Sequence, residues 1–327
     1  MRRLAVVVLL ATLLCAAGCS RATTPPSANS GVINTAATEA TPTPPPAPVT
    51  FAVIGDYGMG DRNEAAVAKL VASWDPDFIV TTGDDYYNVA GGRGVGKYAN
   101  STGAYYGRWL KDTAVPPKVR AGEEATRNAF FPALGNHDYS DATPALDTYL
   151  TYFTLPGAGF TNTSGNERYY DFTHGPVRFF VLNSNPEEPD DYGPLSQQAV
   201  WLRAQMRTSK APFNVVLLHH PPFSSDNVHA SIPSAKWPFA LWGADAVISG
   251  HAHTYERILQ DGIVFFVNGL GGAKRYGFVE PVPGSAARYS ADWGAQKVTA
   301  SSKEMVFSFY NTKGELVDEY RIEAREP

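Results

Sequence analysis

The fold is indicated first by the segment Val49-Thr50-Phe51-Ala52-Val53-Ile54-Gly55-Asp56-Tyr57-Gly58. Its first six residues are mostly apolar or β-branched, as in a buried strand, and the strand pattern stops at a glycine and an aspartate. Four later runs stop in the same way at polar turns: Asp77–Thr82 before Gly83–Tyr87, Ala129–Leu134 before Gly135–Asp138, Asn214–Leu218 before His219–Pro222, and Ala244–Ser249 before Gly250–His253. Ligands of α/β proteins bind beyond the carboxyl ends of strands, so the five turns mark a candidate site.

Two helices are predicted between these strands. The first follows Asp61-Arg62-Asn63-Glu64, which has the spacing of a capping box and precedes apolar residues at helical intervals up to Trp74. The second runs from Gln197 to Met206, with Ser196 as its N-cap. Strand and helix therefore alternate in the order that builds parallel sheets.

Late in the chain, strands are predicted to outnumber helices. Gly262–Asn268 and Met305–Glu323 are interpreted as alternating strands, and the second is interrupted by a turn at Asn311–Gly314. Because no second linker separates these strands from the earlier pattern, we expect one domain over residues 49–327.

The composition is that of a globular protein whose main body lacks cysteine. The chain has 327 residues, of which 44% are apolar and 18% charged, and this excludes a disordered chain and a coiled coil. Both cysteines, Cys15 and Cys19, lie close to the N-terminus. A metal ion bound by the rest of the chain therefore has only nitrogen and oxygen ligands.

The N-terminus resembles a lipoprotein-type export signal. Two arginines precede the apolar run Leu4–Leu14, and small residues lead to Cys19. We expect residues 1–18 to be removed and Cys19 to carry a lipid that holds the protein in the cell envelope, outside the cytoplasmic membrane. The alternative is an ordinary signal peptide with a chance cysteine, and a secreted protein. Residues 19–48 are rich in Pro, Thr and Ala and are expected to form an extended tether.

Three kinds of metal ligand gather at the predicted strand ends: carboxylates, an asparagine amide and imidazoles. A mixed nitrogen and oxygen set suits Zn, Mn or Fe, whereas Mg and Ca prefer oxygen alone. One carboxylate can bridge two ions, and two ions can clamp the attacking and leaving oxygens of phosphoryl transfer. Each turn taken alone also fits local structure, because Asp is common in turns. Five of them in this order indicate a site.

The five turns form a series that resembles a known family. The series is Asp56-x-Gly58, Gly83-Asp84-x-x-Tyr87, Gly135-Asn136-His137-Asp138, Val216-x-x-His219 and Gly250-His251-x-His253. It is similar to the five motifs of the calcineurin-like metallophosphoesterases. Because it includes Tyr87, it resembles in particular the purple acid phosphatase (tartrate-resistant acid phosphatase-like) branch of that superfamily. The resemblance covers residues 49 to 323. It implies an α/β (α+β) fold, a four-layer α/β/β/α sandwich of two mixed β-sheets flanked by helices.

The resemblance also implies a centre of two metal ions. One ion is expected to bind Asp56, Asp84, Tyr87 and His253, and the other Asp84, Asn136, His219 and His251, so that Asp84 bridges them. A tyrosinate stabilises a trivalent ion. The first ion is therefore expected to be Fe(III), which would colour the protein, and the second a divalent Fe, Zn or Mn.

The expected chemistry is hydrolysis of a phosphoester. Two cations lower the pKa of a bound water and supply hydroxide for in-line attack on phosphorus. His137 is expected to protonate the leaving group or stabilise its charge, and Asp138 to orient the His137 ring. The resemblance to plant-type members places His229 on the substrate side. We expect His220 to pack against or orient its neighbour, and His174 to be a turn residue.

These features predict an exported acid phosphatase that hydrolyses small-molecule phosphate monoesters. Two alternatives stay open: a phosphodiesterase acting on nucleotides or on lipid or polymer phosphodiesters, and a non-catalytic envelope lipoprotein that binds metal or phosphate. The formal net charge of −5 argues against nucleic acid as a partner. The sequence leaves the oligomeric state open.

Four loop segments between the motifs bear on ligand binding. Gly91–Lys97 has the glycine and lysine spacing of a P-loop, but Tyr98 replaces the Ser or Thr that binds Mg, and no apolar strand immediately precedes the loop, so a nucleotide loop is rejected. Three segments are expected to line the cleft and select the substrate, unless their aromatic residues serve packing: Tyr98–Tyr106, Pro186–Tyr192 and Pro222–Trp237.

Overall fold

The computed structural model describes residues 45–120, 122–140 and 146–325. The predicted export signal, Cys19 and nearly all of the predicted tether lie outside these residues. In the described part, no helix combines the length and the apolar character needed to cross a membrane.

The described residues form thirteen strands and six α-helices, together with three short 3₁₀ turns. The strands are β1 Val49–Ile54, β2 Phe78–Thr81, β3 Phe130–Phe131, β4 Tyr170–His174, β5 Val177–Val181, β6 Phe213–Leu217, β7 Ala246–Ser249, β8 Tyr255–Gln260, β9 Ile263–Asn268, β10 Ser285–Tyr289, β11 Gly294–Ala300, β12 Glu304–Asn311 and β13 Leu316–Glu323. The helices are α1 Arg62–Ser73, α2 Gly96–Asn100, α3 Thr102–Tyr106, α4 Asp147–Tyr152, α5 Gln197–Thr208 and α6 Phe239–Trp242. The 3₁₀ turns are Gly107–Trp109, Asn136–Tyr139 and Pro233–Ala235.

The strands form two mixed sheets. The first has the order β13-β12-β11-β1-β2-β3, in which β1, β2 and β3 are parallel and the other pairs antiparallel. The second has the order β10-β8-β9-β7-β6-β5-β4, with a parallel centre from β9 to β5. Parallel strands in each sheet therefore end at a common edge, where the polar turns follow.

The two sheets pack face to face through aromatic side chains. Phe51 of the first sheet meets Phe179 of the second edge-on, with ring centroids 5.1 Å apart. At the other flank, Phe266 meets Phe307 at 4.8 Å. Large aromatic pairs of this kind bury much apolar area and favour edge-to-face or offset contacts. They hold the two sheets together as the central layers of the molecule.

Helices cover the outer faces. Alternate residues of the central strands point to opposite sides: Val215 and Leu217 of β6 join the core between the sheets, while Val216 joins a second core under α5 and α6. Helix α1 packs against β11 of the first sheet. The predicted four-layer sandwich is confirmed.

Both predicted helices are present with their predicted caps. Asp61 accepts hydrogen bonds from the backbone N–H groups of Asn63 and Glu64, at 2.8 and 3.1 Å, and so begins α1. Ser196 accepts from Ala199 at 3.1 Å and begins α5, which ends at Thr208, two residues beyond the predicted end.

Two strand predictions need correction. The predicted run Ala129–Leu134 forms only a two-residue strand, because Pro132 has no N–H for a ladder and its carbonyl instead accepts the hydroxyls of two tyrosines. Strand β9 does not alternate: five of its six residues are buried, since it lies between β8 and β7 with both faces covered. Strands β4, β5, β8, β10 and β11 were not predicted.

Candidate metal centre

The predicted ligands meet where the two sheets present their carboxyl edges. Asp56 follows β1, Asp84 follows β2, and Asn136 follows β3, all in the first sheet. His219 follows β6 and His251 follows β7 in the second sheet. Parallel strands end at one edge, so residues far apart in sequence become neighbours there.

One group of donors surrounds the Tyr87 hydroxyl. This oxygen lies 2.9 Å from Asp84 Oδ2, 3.2 Å from His253 Nε2 and 3.5 Å from Asp56 Oδ1. His253 Nε2 in turn lies 3.3 Å from Asp56 Oδ1. The structure thus brings together all four residues predicted for the first ion, and three of the four donor atoms are oxygens.

A second group of donors surrounds Asn136. Its Oδ1 lies 2.9 Å from both His219 Nε2 and His251 Nδ1, and these two nitrogens are 3.1 Å apart. Asp84 Oδ1 lies 3.5 Å from His219 Nε2. Asp84 therefore presents one oxygen to each group, which is the arrangement of a bridging carboxylate.

The chemistry of these donors fits a cation. His219 donates its Nδ1–H to the Thr82 carbonyl at 2.8 Å, and burial lowers its pKa to about 4, so Nε2 of the neutral ring keeps a lone pair. That lone pair faces the Asn136 oxygen, which is also an acceptor. Two acceptors in contact without a hydrogen between them repel each other unless a cation lies within reach of both.

A second histidine is held in the same ligand form. His253 donates its Nδ1–H to the Lys274 carbonyl at 2.6 Å, which leaves Nε2 facing Asp56 and Tyr87. Burial is the largest influence and lowers the pKa of His253, but the hydrogen bond to Asp56, the charge of that carboxylate and the Lys274 carbonyl together outweigh it, so the pKa is raised. A backbone carbonyl thus orients the ring before any ion binds.

The backbone at the strand ends is adapted to the site. Asp56, Asp84 and His251 adopt left-handed conformations, with φ of 54°, 57° and 66°. Gly250 leaves room for the ligands: a Cβ there would come within 2.5 Å of Asp56 Oδ2. Gly135 is equally restricted, because its Cβ would clash with the Asp84 carboxylate.

Behind the donors, buried carboxyl groups lie close together, which disfavours their charged forms. Burial raises the pKa of Asp138 to about 8, with a further contribution from the charge of Asp84. Burial and the charge of Asp138 likewise raise the pKa of Asp85. The Tyr87 hydroxyl has a raised pKa because it is buried beside the Asp84 and Asp56 carboxylates, so a tyrosinate here requires a cation.

His137 and His229 both lie beside the donors, and the His229 ring is also 6.1 Å from the His253 ring of the first group. The His137 ring is 4.3 Å from the Tyr87 ring, next to the first group, and its backbone N–H donates to Asp84 Oδ1 at 2.9 Å. The His229 ring is 4.0 Å from the His251 ring, next to the second group. Both rings are partly exposed, as substrate contacts require.

The role predicted for Asp138 is corrected. Its oxygens accept hydrogen bonds from the N–H groups of Gly135 and Asp85 and from the Tyr98 hydroxyl, at 2.8, 3.4 and 3.1 Å. Because this buried carboxylate ties together the turns after β2 and β3, it is not available to orient the His137 ring. Asp138 thereby holds the turns that carry the donors in position.

Three residues at the site were not singled out from the sequence, although Asp226 lies in the segment Pro222–Trp237 that was expected to line the cleft. Tyr276 stacks on the His253 ring with centroids 4.6 Å apart, and Asp226 Oδ1 accepts the His229 N–H at 2.8 Å. Ser184 Oγ lies 2.9 Å from Nδ1 of His220, whose ring is 4.6 Å from the His251 ring. None of the three stands in a recognisable motif, so only the folded chain reveals them.

Not every expected cleft segment reaches the site with its aromatic residues. Tyr98 and Tyr106 of the segment 98–106 are 2% and 0% exposed and belong to the core, so these aromatics serve packing. Lys97 places its ammonium 4.5 Å from the centre of the Tyr86 ring, which agrees with the rejection of a P-loop. His174 ends β4 beside Phe78, at the opposite end of β2 from Asp84.

Two mixed sheets with this nitrogen and oxygen donor set at their common edge define a metallophosphoesterase-type protein. Residues 49–255 match the profile of the calcineurin-like phosphoesterase family, and the chain belongs to this family. Several of the proteins similar to this chain are purple acid phosphatases.

Among the relatives, a purple acid phosphatase of Glycine max is 26% identical over 243 residues, which cover 69% of this chain and 48% of that protein. The purple acid phosphatase PPD1 of yellow lupin (Lupinus luteus) superposes with a TM-score of 0.63 at 17% identity, covering 85% of this chain and 54% of that one. GAP50, the anchor in the inner membrane complex of Plasmodium, superposes with a TM-score of 0.63 at 18% identity, covering 85% and 90%. The chain spans at most about half the length of the curated relatives it matches.

Proposed function

We propose that this protein is a binuclear metal-dependent phosphomonoesterase of the acid phosphatase type. One observation carries the proposal: Asp84 turns one oxygen toward Tyr87 and the other toward His219, so a single carboxylate joins two donor groups of different composition. Family membership and the phosphatase names of the relatives support the same reaction class.

The two donor groups suit different ions. Two carboxylates and the Tyr87 hydroxyl form a hard, anionic set that favours Fe(III). Two imidazoles, one amide oxygen and the shared carboxylate suit a divalent Fe, Zn or Mn. When bound, such a pair of ions supplies a hydroxide nucleophile near neutral or acidic pH and neutralises charge on the phosphoryl group.

The side chains around the donors handle the substrate. The His137 ring lies beside Tyr87 and the His229 ring beside His251, so we place both rings within reach of a phosphoryl group bound at the donors. His137 is a candidate to donate a proton to the leaving oxygen, or to stabilise its charge. The backbone N–H of His137 already holds Asp84 in place, which couples proton donation to the position of the bridge.

The alternatives predict different outcomes. A phosphodiesterase would use the same donors, whereas a non-catalytic protein of this fold would bind metal without turnover. The presence of all seven donor residues at mutual distances suited to ions favours an enzyme. GAP50, the anchor in the inner membrane complex of Plasmodium, shows that proteins with this fold are also described by other roles.

The decisive experiment measures turnover of an aryl phosphate monoester and an aryl diester by protein loaded with iron and zinc. We expect preference for the monoester, and a loss of about a thousandfold or more in kcat for Asp84→Asn, since the bridge is shared by both ions. Asp75→Asn is the matched control, because Asp75 is also left-handed, with φ of 47°, but its exposed side chain pairs with Arg108.

Three results would contradict the proposal. A metal-filled wild type without any ester turnover would indicate a binding protein. Preference for the diester would indicate a phosphodiesterase. Wild-type rates in Asp84→Asn would remove the bridging assignment.

We also propose that the protein is exported and anchored through a lipid on Cys19, with residues 1–18 removed. This proposal is supported by the order of charged, apolar and small residues before Cys19. The expected partner is a small phosphoester, and the acidic balance of the chain disfavours nucleic acid.

A further inference from the structure

Two consecutive histidines after β6 are held by different kinds of hydrogen-bond partner. His219 Nδ1 faces the Thr82 carbonyl, which can only accept, so this nitrogen must carry the hydrogen. Nε2 of His219 therefore keeps its lone pair and faces the donors of the second group. This is the form of a histidine ligand.

His220 is held by a hydroxyl instead. Ser184 Oγ lies 2.9 Å from His220 Nδ1 and also accepts the backbone N–H of His220 at 2.9 Å. In the described part of the chain, this hydroxyl has no further hydrogen-bond partner. Its own hydrogen is thus directed at Nδ1, and the hydrogen of the neutral imidazole is left on Nε2.

The His220 ring lies beside the second donor group. Its centroid is 4.6 Å from that of His251 and 5.0 Å from that of His219, and a ring nitrogen of each of the three lies within 4.8 Å of the others. His220 is 9% exposed. Since Ser184 occupies Nδ1, the nitrogen available to the site is Nε2, which carries a hydrogen and so cannot bind a cation.

We propose that His220 donates a hydrogen bond from Nε2 to an oxygen of the bound phosphoryl group, with Ser184 as the positioning residue that selects this tautomer. The inference rests on the proposed function, because it takes the phosphoryl group as the ligand of the site. A neutral donor suits this position: it binds an anionic oxygen without adding a positive charge beside the ions. Of the two adjacent histidines, His219 would bind metal and His220 would bind the substrate.

The test uses the zinc-loaded full chain and measures two quantities, bound zinc per chain and the affinity for inorganic phosphate. We expect His220→Ala to keep the wild-type zinc content and to bind phosphate about tenfold more weakly, as for loss of a hydrogen bond to a charged group. His220→Gln retains an N–H donor and should recover to within about threefold of wild type. Ser184→Ala should weaken phosphate binding about threefold. His174→Gln is the control, because His174 lies beside Phe78 at the end of β2 opposite to the site, and it should change neither zinc content nor phosphate affinity.

Each contrary result has a separate meaning. Loss of zinc in His220→Ala would make His220 a ligand and overturn the proposal. Unchanged zinc and unchanged phosphate affinity would make it a packing residue. If His220→Ala does not fold, Ser184→Ala decides, because unchanged phosphate affinity in that folded variant would overturn the assigned tautomer. A wild type that binds zinc and phosphate but hydrolyses no ester would contradict the proposed function alone.

Discussion

At the residue scale, the site depends on backbone conformations that most side chains avoid. A left-handed residue other than glycine costs about 1–2 kcal/mol, and Asp56, Asp84 and His251 all adopt that conformation. Hydrogen bonds between distant strand ends offset the cost: the His251 N–H donates to both oxygens of Asp56, at 3.0 and 2.9 Å. The donors are therefore in position before an ion arrives, which lowers the cost of binding one.

His174, which lies away from the site, is expected to make the free energy of unfolding depend on pH. The Arg127 guanidinium donates to His174 Nε2 at 2.8 Å, and a guanidinium cannot accept, so the His174 ring must be neutral. Burial, and then the charge of Arg127, lower the pKa of His174 to about 4. At pH values between the ordinary pKa of 6.5 and this lowered pKa, His174 is protonated in the unfolded chain but stays neutral in the folded chain.

Stability is therefore expected to fall as the pH drops from 6.5 toward 4. We predict that His174→Phe, which keeps the stacking on Phe78, loses about 1 kcal/mol less than wild type between neutral pH and pH about 4.5, allowing for the partial exposure of the ring. Urea unfolding of both proteins at the two pH values measures this difference. Equal losses in the two proteins would show that His174 does not contribute.

At the element scale, the central strands explain why an unbroken apolar run was the correct signal. Strands β5, β6 and β7 send alternate residues into two different cores, so both faces are buried and no polar alternation appears. Such a strand carries its chemistry only at its end, in the turn where the apolar run stops. Edge strand β10 is hard to predict for the opposite reason: none of its residues is buried, so it has no apolar run.

The N-terminal segment is the element that we propose determines where the protein resides in the cell. We predict that Cys19→Ala moves the protein from the membrane fraction to the soluble fraction of the envelope or the medium, while turnover of an aryl phosphate stays at the wild-type value. Fractionation of cells followed by immunoblotting measures this. Arg21→Ala, a substitution on the other side of Ser20, is the control. Membrane association that survives Cys19→Ala would contradict the lipid anchor.

At the scale of the whole molecule, the donor groups join the two sheets. The second group draws Asn136 from the first sheet and His219 and His251 from the second, and the first group joins Asp56 and Tyr87 to His253 in the same way. Bound ions would therefore act as cross-links between the two central layers. Ligands that bind only the folded state raise its stability by mass action.

We accordingly predict that removal of the metals with a chelator lowers the Tm by about 5–10 °C, given roughly 2.7 kcal/mol for each ion at a hundred times its Kd. Differential scanning calorimetry of loaded and chelated protein measures the shift. Asp75→Asn should show the full shift, and Asp84→Asn little or none. A chelator that leaves the Tm of the wild type unchanged would mean that the ions do not bridge the sheets.

The sequence by itself determined the ends of the motif-bearing strands and both long helices with their caps, since each leaves a local pattern of apolar periodicity, capping spacing or turn chemistry. The seven donor residues followed from the resemblance of the five motifs to a known family. Only the tertiary structure decided what depends on neighbours distant in sequence. It fixed the distances between the donors around Asp84, turned Asp138 away from His137, and set Ser184 against His220. Hydrogen-bond partners such as these come from separate strands, and a tautomer is chosen by the partner that folding supplies.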